Sequence, residues 1–162
     1  MKSLFLVRHA KSSWKHPDLP DRLRPLNKHG QRDAPVMGER LAKREIAPDL
    51  ITSSPASRAM ATAKVIAREI GYPEEDIRAD ERLYGASAFE LLEIIQELGD
   101  HLDRVMLVGH NPGLTDLAND LGCDIDNVPT CGIVELAFDI DSWALVDDVE
   151  PKQMDFDYPK KP

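Results

Sequence analysis

The opening stretch Ser3-Leu4-Phe5-Leu6-Val7-Arg8-His9-Ala10 is a short apolar run that stops on a guanidinium and an imidazole. A run this short, bounded by charge, reads as a buried strand. The layout recurs twice. Asp49-Leu50-Ile51-Thr52-Ser53 is followed by Ser54-Pro55-Ala56-Ser57-Arg58, and Val105-Met106-Leu107-Val108 by Gly109-His110-Asn111-Pro112. Helix-patterned stretches separate the three runs. Strands alternating with helices predict an α/β sandwich with a mostly parallel central sheet.

Working outward from these runs, Lys11 to Pro25 is polar and proline-bearing, too irregular for a regular element. Asn27 can cap a helix whose apolar positions are Val36, Met37, Leu41 and Ala42. Pro35 falls inside it, so that helix is expected to begin late or bend, and Pro48 ends it. Ala59–Ile70 reads as an alanine-rich helix closed by Gly71. Ile77–Leu83 reads as a weak strand or loop, and Ala88–Leu98 as a helix. A further helix should open at Gly109–Gly113 and end near Gly122, followed by strands at Gly132–Phe138 and Trp143–Val146. Residues 1–150 are expected to form one domain. Residues 151–162 read as a loosely held polar tail.

The 162 residues suffice for one core without disulfides or metal. Cys123 and Cys131 fit no zinc or redox spacing. The N-terminal apolar run is too short for a signal peptide and no stretch approaches a membrane span, so a cytoplasmic location is expected. A net charge of −9 argues against nucleic acid or an anionic membrane as partner. The charge is unevenly spread. Residues 1–44 carry +7 and residues 45–162 carry −16. A cationic N-terminal third suits a local anion site, or simply a basic face in solvent.

In open α/β sheets ligands gather at the carboxyl ends of the strands. If the three runs are parallel neighbours, Arg8, His9, Arg58 and His110 converge, and two guanidiniums with two imidazoles make a dianion site. Singly, each has a plainer reading: a surface Arg-His pair, a solvated helix arginine, a capping-loop histidine. Their joint occurrence carries the functional reading. His16, His29 and His101 are expected at the surface, and Trp14 and Trp143 are expected to pack rather than to contact substrate.

The stretches Leu6-Val7-Arg8-His9-Ala10-Lys11-Ser12-Ser13-Trp14, Arg24-Pro25-Leu26-Asn27-Lys28-His29-Gly30, Ser53-Ser54-Pro55-Ala56-Ser57-Arg58-Ala59, Leu83-Tyr84-Gly85-Ala86-Ser87 and Val108-Gly109-His110-Asn111-Pro112-Gly113 resemble, in order, the histidine phosphatase superfamily. Within it they are similar to the SixA-like phosphohistidine phosphatase group, in which alanine in place of the glycine of Arg-His-Gly is familiar. The resemblance spans roughly residues 3–146. It implies a three-layer α/β/α, phosphoglycerate mutase-like fold. It makes His9 the nucleophile, sets Arg8 and Arg58 on the phosphoryl oxygens, and lets His110 complete the pocket. Asp80-Glu81-Arg82-Leu83-Tyr84-Gly85 is similar to the mutase Glu-Arg-x-Tyr-Gly pattern, which makes Glu81 a candidate proton donor. Otherwise Glu81 is a surface residue before a loop. Lys11 and Arg24 are candidates to extend the cationic pocket toward substrate, or else solvated.

An imidazole attacks phosphorus only when neutral, and surrounding cations favour that form. The same cations stabilise the transferring phosphoryl group, so no metal or cofactor is required. The leading expectation is a phosphatase that works through a phosphohistidine intermediate on a phosphorylated protein, most naturally on its phosphohistidine. A phosphomonoesterase for a small phosphorylated metabolite is the alternative, and a non-catalytic phosphate-binding module is the third.

Overall fold

The computed structural model describes residues 1–162. In chain order the elements are β1 (Lys2–Arg8), α1 (Lys28–Lys43), β2 (Leu50–Ser53), α2 (Ser57–Ile70), β3 (Arg78–Ala79), α3 (Ala88–Gln96), β4 (Arg104–Gly109), α4 (Gly113–Asp120), β5 (Ile133–Phe138) and β6 (Gln153–Asp157). The strands form one mixed sheet in the order β3-β2-β4-β1-β5-β6. The pairings β3–β2, β2–β4 and β4–β1 are parallel, while β1–β5 and β5–β6 are antiparallel.

Alternation along β1 divides the interior into two cores. Leu4 and Leu6 face one side, with Leu107, Leu91, Ile95, Leu114 and Trp143. Phe5 and Val7 face the other, with Ile51, Met106, Met37, Ala59 and Ile66. Successive strand side chains point to opposite faces, so a strand apolar at every position must be covered on both. Helices α1 and α2 cover one face and α3 and α4 the other, giving three α/β/α layers.

Helix α1 runs unbroken through Pro35 from the expected Asn27 cap, whose side chain accepts from the Gly30 amide. Burial of Ala34, Met37, Gly38 and Leu41 outweighs the one ladder bond that proline cannot make. Helix α3 opens on a Ser87–Glu90 capping box. The stretch Ile77–Leu83 contains only the two residues of β3, then a 3-10 turn at Glu81–Leu83.

Two readings of the C-terminal part need correction. Trp143–Leu145 is a 3-10 turn rather than a strand. Ser142 accepts from the Ala144 amide, and the fully buried Trp143 indole donates to Leu102 O at 2.7 Å. Residues 151–162 are not a loose tail, since Gln153–Asp157 is the sixth strand. It pairs with β5, and Arg40 clamps its far end by donating to Asp157 Oδ1, Tyr158 O and Pro159 O. The strand reads as polar because an edge strand keeps much of its surface in water.

Candidate active site

Register sets the site. Arg8 pairs with Gly109 and Val108 with Ser53, so β2, β4 and β1 end side by side. The next residues along the chain, Ser54, His110 and His9, therefore emerge together at the carboxyl edge of the sheet. Arg58 joins them from the first turn of α2. Arg8, His9, Arg58 and His110 line one cavity of about 710 Å³, and Lys11 and Arg24 line it too.

His9 is tied down by its backbone. Its amide donates to Gly109 O, and Cys131 N donates to Arg8 O and His9 O. Ala10 N donates to Thr62 Oγ1, whose hydroxyl donates to Arg58 O, so α2 holds the strand exit. His9 is only 7% exposed. Its Nδ1 lies 2.7 Å from Ala10 O, a contact that requires Nδ1 to carry the proton and leaves the Nε2 lone pair free. Burial is the main force lowering the His9 pKa to about 3, with His110, Arg58 and Arg8 adding to it against the Ala10 bond. The imidazole is neutral near pH 7.

His110 packs against His9 with ring centroids 5.1 Å apart, and its Nε2 lies 2.7 Å from Ser54 Oγ. Burial and then the Arg58 charge lower its pKa to about 4. Arg8 donates from Nη1 to Val128 O. Arg58 donates from Nη1 to Asp21 O and from Nη2 to Asp21 Oδ2. The Nε–H of each arginine is buried and has no partner, and these are the only two such side-chain atoms in the protein. A buried unpaired donor is costly, and an acceptor oxygen brought by a ligand into the cavity that both arginines line would offset that cost.

Asp21 is a site residue that the sequence reading missed. Its carboxylate accepts from Tyr84 Oη, Arg58 and Arg24, and these contacts, the tyrosine first, hold it ionised far below the usual carboxylate range. It opens a 3-10 turn at Asp21–Leu23, too short to show a periodicity, so the only signal available was a carboxylate three residues before Arg24. Arg24 is buried, and it donates to Asp21, Ser12 Oγ and Ser13 O. Lys11 is exposed at the mouth.

Two expectations meet a different geometry. Glu81 does not line the cavity. Its side chain is 71% exposed, and both carboxylate oxygens accept from Arg22 Nη2 at 2.8 Å. The 3-10 turn at Glu81–Leu83 buries Leu83 and turns Glu81 outward. Trp14, expected to pack, is 76% exposed and lies over Arg24 with the guanidinium carbon 3.6 Å from the ring centre. A separate cleft between α1 and the β5–β6 edge holds Arg40, Arg44, Glu135, Asp155 and Asp157, whose charges pair with one another.

Comparison with known proteins identifies the family and the fold. The sequence model of the histidine phosphatase superfamily (branch 1) matches residues 4–106. An uncharacterised protein of Mycobacterium tuberculosis is 36% identical over 157 residues, covering 90% of this chain and 92% of its own. An uncharacterised chloroplastic protein of Arabidopsis thaliana is 31% identical over 150 residues, covering 88% and 69%. A structure from Agrobacterium tumefaciens, described as a candidate phosphohistidine phosphatase SixA, superposes with a TM-score of 0.78 at 31% identity, covering 85% of this chain and 92% of that one. The protein histidine phosphatase SixA bound to tungstate shares the fold at 18% identity, with a TM-score of 0.81 and 97% of each chain covered. No helix here is long and apolar enough to cross a membrane. The chain belongs to the histidine phosphatase superfamily.

Proposed function

We propose that the protein is a metal-independent phosphatase that takes the phosphoryl group onto His9 Nε2 and acts on phosphohistidine, with a protein as its substrate. The observation that carries this reading is the pair of unpartnered buried Nε donors on Arg8 and Arg58 beside a neutral imidazole with a free Nε2. The Nε2 lone pair attacks phosphorus, and the bond from phosphorus to the substrate nitrogen breaks. The leaving imidazole departs neutral because it arrives protonated. Water then attacks the phosphorus on His9, releasing phosphate and restoring the lone pair. Throughout, the guanidiniums of Arg8 and Arg58 oppose the charge on the phosphoryl oxygens. A bound dianion favours the protonated form of His110, which adds a third cation.

The placement of carboxylates supports a nitrogen leaving group. Asp21, in the cavity, is held ionised and has no proton to give, and Glu81 faces Arg22 outside it. An alkoxide would need a donor, whereas a protonated imidazole would not.

The test is phosphate release from a phosphohistidine-containing protein. His9→Ala should lower the rate by roughly 10³-fold or more. Acid-labile, base-stable phosphate should be trapped on the wild type. Glu81→Gln and EDTA should each leave the rate within about twofold, as expected for an exposed side chain and for electrostatics supplied by arginine. Equal rates for wild type and His9→Ala would end the proposal.

A further inference from the structure

A phosphoryl group fills only a corner of a cavity of about 710 Å³, and the rest of its lining is cationic. Arg8, Lys11, Lys15, Arg24 and Arg58 line it against the single carboxylate of Asp21, on a chain whose net charge is −9. Trp14 stands at this mouth as the most exposed large apolar side chain of the protein. It is not loose. One face lies on Arg24, and Arg24 is buried and anchored by Asp21, Ser12 and Ser13. The ordering cost of a docking side chain is thereby met before binding. Its other face has no stacking partner, since Tyr84 pairs with His110 and Phe156 with Tyr158. A nucleobase would gain most from a second ring opposite, which is missing here. An apolar side chain flanked by carboxylates gains from one open indole face ringed by cations.

We propose that Trp14 is a specificity-determining docking residue, and that its partner is an acidic protein segment seating an apolar side chain on the indole beside the phosphorylated residue. This rests on the phosphatase reading above and extends it to the surroundings of the scissile group. Asp21 links the two parts, holding Arg24 under the tryptophan and Arg58 at the phosphoryl end.

The experiment compares kcat/KM on two phosphohistidine peptides of equal length and on phosphoramidate, which is too small to reach the rim. One peptide carries Asp and Glu around a leucine next to the phosphohistidine, and the other carries Lys and Arg there. The wild type should prefer the acidic peptide at least about tenfold, and added salt should compress the preference. Trp14→Ala should bring it below about threefold, chiefly through KM, and Trp14→Phe should restore most of it. Lys11→Glu with Lys15→Glu should remove it, since the charge of the lining then falls to zero. If Trp14→Ala slows phosphoramidate as much as the acidic peptide, the indole only supports Arg24 and the proposal fails. It also fails if wild type and Trp14→Ala cleave both peptides alike, or if a nucleoside monophosphate is the substrate whose KM depends on Trp14. Turnover of phosphoramidate with neither peptide cleaved would instead remove the phosphohistidine-protein reading itself.

Discussion

His9 and His110 are imidazoles that the fold keeps uncharged in a cup of cations. Both have folded-state pKa values below the usual 6.5, at about 3 and about 4. Between those values and 6.5 the unfolded chain binds more protons than the native one, so stability rises with pH through that window and falls on acidification. Each imidazole contributes at most about 1.4 kcal/mol per pH unit. Urea unfolding at pH 7 and pH 5 should show the wild type losing stability and His9→Asn losing less. Equal losses would mean that His9 is not buried neutral. At this scale the cations were legible in sequence because each ends a strand or opens a helix. Asp21 was not, since nothing in Pro20-Asp21-Arg22 marks a loop that folds back onto Arg58.

Helix α1 and the strand exit meet at Gly30. The Asn27 amide donates to Lys11 O, and a Cβ at Gly30 would fall well inside contact distance of that same oxygen. Glycine there lets the Lys11–Trp14 segment lie against the helix's first turn. Gly30→Ala gains about 1 kcal/mol of helix propensity but overpacks against backbone, a cost of about 1–3 kcal/mol. The expected net result is destabilisation by about 1 kcal/mol in urea titration, with lowered kcat/KM as the Lys11–Trp14 segment shifts. An unchanged midpoint and unchanged activity would show that the segment relaxes freely. The helices themselves were readable from caps and periodicity. The unbroken run through Pro35 was not, because packing of Ala34, Met37 and Leu41 outweighs a local preference.

Over the whole molecule, β6 closes the antiparallel edge of the sheet. Without it β5 would present an unpaired apolar edge, Phe156 would leave the core, and Arg40 would lose three acceptors. A chain ending at Glu150 should unfold roughly 5–10 °C lower and aggregate on heating, as scanning calorimetry and light scattering would show. An unchanged Tm would make the strand dispensable.

The sequence by itself determined that strands and helices alternate, where most of them lie, and that two arginines and two histidines stand at strand exits or the helix start just beyond. Those features are local, because burial on both faces of a strand and capping of a helix write themselves into neighbouring residues. Only the tertiary structure decided that Asp21 braces Arg58, that Glu81 turns outward to Arg22, that Trp14 is open at the mouth, and that the last residues complete the sheet. Each of these depends on which distant segment a side chain meets, and a contact between residues far apart in the chain has no periodicity to announce it.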